Sequence, residues 1–366
     1  MIRGADRWLW PVVKRQLQHS QSRPRHVFLA ICDHFEPMHH TDDDGARQRL
    51  LRWRSDYIDL AAKFRDSDGR GPRHSFFYPV EQYDAAHVGL VADICRETGS
   101  EIEVQLHHDG DTEATITEKL VQGISDLASH GGLSVDGTGA TRFGFVHGNW
   151  ALCNSRPDGR WCGVPTEIAL LRKLGCYADF TFPSAPSPTQ PRAVNQIGYA
   201  AECGSARALD DLRPASEGGT SSLRSKLDHL LLVQGPLALN WQRRKWGVLP
   251  RLENADLTQA NPPSAERMNL WLNQNIHVQG RPDWLFVKLH THGAAPPNSD
   301  MLLGQPMTAF FDYFTSVLPR EANVAVHFVT AREMANLVHA AEDGVCSEPR
   351  ACFDYWLKSR KEGPNG

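Results

Sequence analysis

The feature that most constrains this chain is an alternation. Short β-branched or aromatic runs each end in a polar cluster, and stretches with helical spacing separate most of them. Eight such runs occur in order: His26 to Cys32, Ser75 to Val80, Glu101 to Leu106, Arg142 to Val146, Ala178 to Phe182, a weaker Pro236 to Leu239, Trp284 to Leu289, and Asn323 to Val329. Between them, residues 47 to 65, 86 to 98, 112 to 130, 165 to 174, 307 to 317 and 331 to 341 carry apolar residues at helical spacing. Thr112 is placed to cap the third of these helices and Gly175 to stop the fourth. Strand alternating with helix predicts an α/β fold with a parallel sheet and crossover connections. About eight units predict a (β/α)7-8 barrel, distorted or open, in one domain over 1–366 with its core at about 26–340. The stretch 202–278, with a Gly/Ser-rich part at 204–222, reads as an elaborated loop insertion.

Composition excludes several classes. Thirty-nine Lys and Arg against 43 Asp and Glu leave a formal charge of -4, and no basic run marks a nucleic-acid partner. No stretch reaches the roughly 18 apolar residues of a membrane span, and the short apolar patch near Trp8 is too interrupted for a signal peptide. The expectation is a soluble, cytoplasmic protein. The eight cysteines form no C-x-x-C pair and read as buried small hydrophobes in a reducing compartment. Oligomeric state has no signature in the sequence.

Histidine stands out, with 17 in the chain. Six of them follow just four of the strands: His34, His107, His108, His147, His290 and His292. Asp33, Glu36, Asp109, Asp111 and Asn149 accompany them. In α/β barrels the strand ends converge on one face, so residues scattered in sequence meet in space. Imidazole and carboxylate are the donor set for zinc and similar divalent ions, which activate water and polarise a carbonyl. Asp33, His34, His107, His108 and His147 are therefore candidate ligands of a divalent metal, zinc first. Neighbours on a strand face opposite sides, and His107 is favoured over His108 because it shares a face with Glu103 and Gln105. Asp42-Asp43-Asp44 lacks the spacing of a calcium loop and reads as a loop followed by the helix that starts at Arg47.

At these residues the chain resembles the polysaccharide deacetylase superfamily, including its YdjC-like members. The matching segments are Ile31-Cys32-Asp33-His34, Ser75-Phe76-Phe77, Glu101-Ile102-Glu103 followed by His107 and His108, and Leu289-His290-Thr291-His292. The sequence departs from the family where His34 replaces a second Asp, where His107-x-x-x-Asp111 replaces a His pair, and where Gly148-Asn149-Trp150 replaces Arg-x-Pro-Tyr. The resemblance implies a metal-dependent hydrolase that removes acetyl groups from a sugar or polysaccharide precursor. Its YdjC-like form implies metal ligands Asp33, His107 and His147. Asp33 or Asp111 would be the base, and His290 or His292 the acid and oxyanion partner. Asn149, Trp150, Trp161 and Trp241 are candidates for binding a carbohydrate substrate, Trp by stacking on sugar faces. Two alternatives stay open. One is a metal-independent glycoside hydrolase using two of Glu36, Glu81, Asp109 and Asp111. The other is a non-catalytic barrel that binds glycan or scaffolds a complex.

Overall fold

A computed structural model describes residues 4–17, 24–206, 208–345 and 348–360. Cys346 and Arg3 lie outside the described residues. The chain is α/β. Nine strands pair in parallel among the described residues: β1 (His26–His34), β2 (Ser75–Pro79), β3 (Glu101–Leu106), β4 (Thr141–His147), β5 (Cys176–Asp179), β6 (His229–Val233), β7 (Trp284–Thr291), β8 (Ala325–Phe328) and a two-residue strand, Asp256–Leu257, on the outer edge of β7. Strand β1 is central. It pairs with β7 along its whole length, with β8 over its first half, and with β2 only at Cys32 to His34. The order then runs β2, β3, β4, β5, β6, and ends in antiparallel strands Ile197–Ala201 and Arg213–Pro214. Regular pairing does not join this edge to β7. Single backbone hydrogen bonds, Gln279 to Ala215 and Phe286 to Ile276, span the interval, and buried Lys288 on β7 donates to the Phe182 carbonyl at 3.0 Å.

Two departures from the sequence reading concern the sheet. Residues 236–239 do not form the sixth parallel strand. That place is taken by His229–Val233, a run buried on both faces whose three leucines lack the β-branched or aromatic character that marks the other strands. Residues from Ala238 to Lys245 instead form an antiparallel hairpin with Leu249–Glu253. The stretch 202–278 thus contains strand β6, this hairpin and the helix Ala265–Leu272, and is not only loop.

The helices begin where expected chemistry begins them. Helix α1 is Ala5–Leu17, and α2 is Asp43–Ala61 with Asp42 as its N-cap, accepting from Gly45 N at 3.0 Å. Helices α3 (Ala85–Thr98), α4 (Glu113–Ser129, capped by Thr112) and α5 (Glu167–Lys173, stopped at Gly175) follow. The strand period of two sorts each strand into two faces. Val27, Leu29, Ile31, Ile102, Val104, Leu106, Phe143 and Phe145 pack under α2 to α5. Phe28, Ala30, Cys32, Phe77, Val146 and Phe286 form the opposite, inner face, closed at one end by the helix Ala331–Glu342. This sorting decides where every candidate site residue points.

One inner-face carboxyl has a consequence for stability. Glu103 accepts from Tyr177 Oη and from Gly144 N, and burial pushes its pKa from 4.5 up to about 8. The folded protein therefore holds a proton that the unfolded chain releases across this window. Stability falls as pH rises from the unfolded to the folded value. Urea unfolding of wild type and Glu103→Gln at about pH 5 and about pH 9 should show wild type losing on the order of 1–3 kcal/mol more than the variant. Parallel pH profiles would show that Glu103 titrates normally.

Candidate metal centre

The C-terminal ends of the strands carry two separate polar clusters, one on each face of the sheet. On the inner face, β1 delivers His34 and β7 delivers His290 and His292. Among the described residues, His34, Glu36 and His292 each place one ligand atom within 4.8 Å of the others'. His34 is fully buried, and neither of its ring nitrogens has a hydrogen-bond partner. Burial, with His292, His290 and Lys288 nearby, holds its pKa well below the ordinary value, so the ring is neutral and offers a lone pair. A buried polar atom without a partner costs about 1–3 kcal/mol, and His34 carries two. His290 is similar: buried, with its pKa held low by burial and Lys288, and with Nδ1 unpartnered.

Glu36 is fixed from the far side. It accepts from Gln105 Nε2 at 2.6 Å and lies 3.3 Å from His107 Nε2. Burial alone would raise its pKa, but the His107 hydrogen bond and the His292 charge bring it below the ordinary value. His107 is half-exposed and bridges two carboxylates, its Nδ1 lying 2.6 Å from Glu81 Oε1. Burial would lower its pKa, yet the bonds to Glu36 and Glu81 raise it to about 9, so it carries a positive charge at neutral pH. Gly148 is required for this approach, because a Cβ there would lie 2.4 Å from the His107 ring. Trp150 covers the cluster. It stacks on His34 with centroids 4.8 Å apart and presents an edge to His290 at 5.1 Å.

On the helix-covered face lie the other candidates. Asp33 is buried, accepts from Gly293 N at 2.6 Å and pairs with His74 Nε2 at 2.8 Å. A Cβ on Gly293 would sit 2.1 Å from the Asp33 carboxylate, so only Gly admits this bond. His108, His147 and Glu167 form a second buried group with ligand atoms within 4.8 Å. It too holds buried ring nitrogens without partners, His108 Nδ1 and His147 Nε2, but here the second nitrogen of each ring is engaged. His147 Nδ1 accepts from Asn149 N at 3.2 Å and Ala151 N at 3.3 Å. A neutral imidazole whose Nδ1 accepts carries its proton on Nε2, which then has no lone pair for a metal. Glu167 accepts from Cys153 N, and the Asn149 side chain donates to the His108 carbonyl. The group thus ties down residues 149–153, and Trp150 within them takes a left-handed φ of 62° over His34.

Asp111 lies at the start of α4, bonded to Lys119 Nζ at 2.8 Å and to Thr115, and does not reach the inner cluster. Trp161 is exposed, with the Arg156 guanidinium 4.1 Å from its ring and its backbone N–H donating to the Asp109 carboxylate. Trp241 sits on the antiparallel hairpin. The structure therefore brings His34, His107, His290, His292 and Trp150 together, and places Asp33, His108, His147 and Asp111 elsewhere. Sequence reasoning gave no site role to Glu167, Gln105 or His74. It considered Glu36 and Glu81 only as glycosidase acids. The signal for Glu36 was its offset of two from His34, just past the strand end.

No protein-family profile matches this chain, and no curated protein matches it. Among solved structures, a crystal structure from Mycobacterium smegmatis described as a "putative polysaccharide deacetylase" matches with 12% identity and a TM-score of 0.46, covering 88% of this chain and 93% of that one. The likeness is one of general fold. No helix among the described residues is long and apolar enough to cross a membrane.

Proposed function

We propose that the protein is a metal-dependent hydrolase that removes acetyl groups from an acetylated sugar, with a divalent ion, zinc first, held by His34, Glu36 and His292. The observation that carries this reading is the buried, neutral His34 ring with both nitrogens unpartnered beside a carboxylate and a second imidazole. That donor set fits zinc. A bound ion there supplies Lewis acidity toward a carbonyl and toward water. The chain's own residues supply the rest. Gln105 and His107 orient Glu36. His107, protonated between two carboxylates, is placed to stabilise a developing oxyanion and to give a proton to the leaving amine or alcohol. His290, held neutral by burial and Lys288 and with Nδ1 unpartnered, is placed to hydrogen-bond the substrate without taking up a proton. Trp150 forms an apolar wall against which a sugar ring stacks.

The glycosidase alternative needs one carboxyl group protonated. Glu36 is held below the ordinary range by His107, and Asp111, despite some burial, by Lys119 and Thr115. Neither is suited to be the acid. The test of the proposal is elemental analysis of the purified protein together with acetate release from acetylated sugars. About one equivalent of metal and metal-dependent acetate release support it. A protein that takes up no metal on reconstitution ends the deacetylase reading.

The group around His147 is assigned the task of holding the 149–153 segment, and one pair of variants separates this from metal ligation. Asn at 147 puts an amide oxygen near the position of Nδ1, and Gln puts one near Nε2. Zinc affinity by calorimetry should be within a few-fold of wild type in His147→Asn and about ten-fold or more weaker in His147→Gln. The reverse order would make Nε2 a ligand.

A further inference from the structure

Helix α1 and the hairpin Ala238–Lys245/Leu249–Glu253 form one surface unit. Gln16 exchanges two hydrogen bonds with the Leu239 backbone, at 3.1 and 3.3 Å. Trp8 and Val12 bury against Ala185, Val194 and Leu237, anchoring the helix. The opposite side of this unit remains apolar. Seven of the 12 exposed large hydrophobic residues among those described lie on these two elements. Trp10 is 67% exposed, Trp241 56%, Trp246 76% and Val248 67%. Exposed tryptophan concentrated on two elements that pack together is the composition of a contact surface.

The charge around these residues identifies the contact. The hairpin carries Arg244, Lys245 and Arg251, with Arg243 facing Glu266 at 3.6 Å, and α1 carries exposed Lys14 near its C-terminal end and Asp6 in its first turn, while its Arg15 bonds the Asn195 carbonyl. The hairpin's single acid, Glu253, is buried against Arg267. Lys245 lies 4.5 Å over the Trp246 ring, and Arg244 bonds only to the Trp241 carbonyl. The chain as a whole is acidic, at -4, so this positive patch is local and is not a consequence of net charge. Tryptophan beside Lys and Arg is the composition that partitions into a headgroup region. The indoles sit at the apolar boundary, and the cations meet lipid phosphates.

We propose that α1 and the hairpin dock the protein peripherally on an anionic lipid surface. Nothing in this depends on the metal centre, which lies on other elements. The test is co-sedimentation of the full chain with vesicles of phosphatidylcholine alone or mixed with phosphatidylglycerol. The expected result is partition into the mixed vesicles, little into neutral ones, and release by high salt. Arg244→Glu/Lys245→Glu should reduce partition by at least about ten-fold, and Trp246→Ala by several-fold. All three positions are exposed, and circular dichroism checks that the variants fold. Equal partition into both vesicle types overturns the proposal, as do variants that sediment like wild type. Sedimentation velocity showing a dimer that Trp246→Ala disperses, with no vesicle binding, overturns it in favour of a second copy of the chain.

Discussion

Replacing His34 by Ala is expected to remove metal binding at the inner cluster. The ring occupies the centre of a group whose other members, Glu36 and His292, come from a loop and from a different strand end. Losing an outer partner of a metal site typically costs 10–100-fold in affinity, so losing a direct ligand should cost more than about 100-fold. Two readouts follow. Calorimetry should show zinc binding to wild type and none to His34→Ala at the same concentration. Thermal unfolding should show wild type gaining on the order of 3–4 kcal/mol with zinc at several hundred times its dissociation constant, and the variant gaining nothing. The metal-free variant loses the packing of a buried ring on Trp150 but also sheds two unpartnered nitrogens, and these offset, so its stability should lie within about 2 kcal/mol of metal-free wild type. Were His34→Ala to bind zinc normally while His108→Ala did not, the site would be the helix-covered cluster and the proposed chemistry would move with it.

Asp33 is the second large effect, and its sign differs from what a catalytic base would give. The carboxylate is fully buried and holds His74 and the Gly293 amide together, joining the end of β1 to the turn after β7. Asp33→Ala leaves a buried imidazole and a buried N–H without partners. The expected loss is about 3–5 kcal/mol of stability. Asp33→Asn keeps the shape and one acceptor and should cost about 1–2 kcal/mol. Zinc affinity of folded Asp33→Asn should stay within a few-fold of wild type, because the side chain faces away from His34. A base would behave oppositely, with stability intact and turnover reduced by about 10²–10⁴-fold. Denaturant unfolding and single-turnover acetate release on the same variant separate the two.

Much of the framework was legible in the sequence because its cause is local. Parallel strands buried on both faces read as apolar runs, and Thr112 and Gly175 mark helix ends by the hydrogen bonds and backbone angles they favour, whereas the helix expected from Arg47 begins four residues earlier, at Asp43, with Asp42 as its cap. That polar residues gather at strand ends was equally visible. The run His229–Val233 was missed because its three leucines are neither β-branched nor aromatic and fit a helix as well as a strand. Residues 236–239 were mistaken for it because a hairpin strand and a sheet strand share the same short-range signal.

What the sequence could not decide is which residue of each adjacent pair enters which cluster. On β1 it determined by itself that Asp33 and His34 point to opposite faces, and on β3 that Gln105 and His107 share one. Which face is inner depends on the packing of the whole sheet. Ala30 and Cys32 line the inner side only because α2 to α5 cover the other with Val27, Leu29 and Ile31 beneath them. The tertiary structure alone therefore divided the six strand-end histidines between an inner group around His34, whose two ring nitrogens are both unpartnered, and a helix-covered group in which His147 ties down a loop. The physical reason is that a strand's alternation is a local property. The environment each side meets comes from segments far away in the chain.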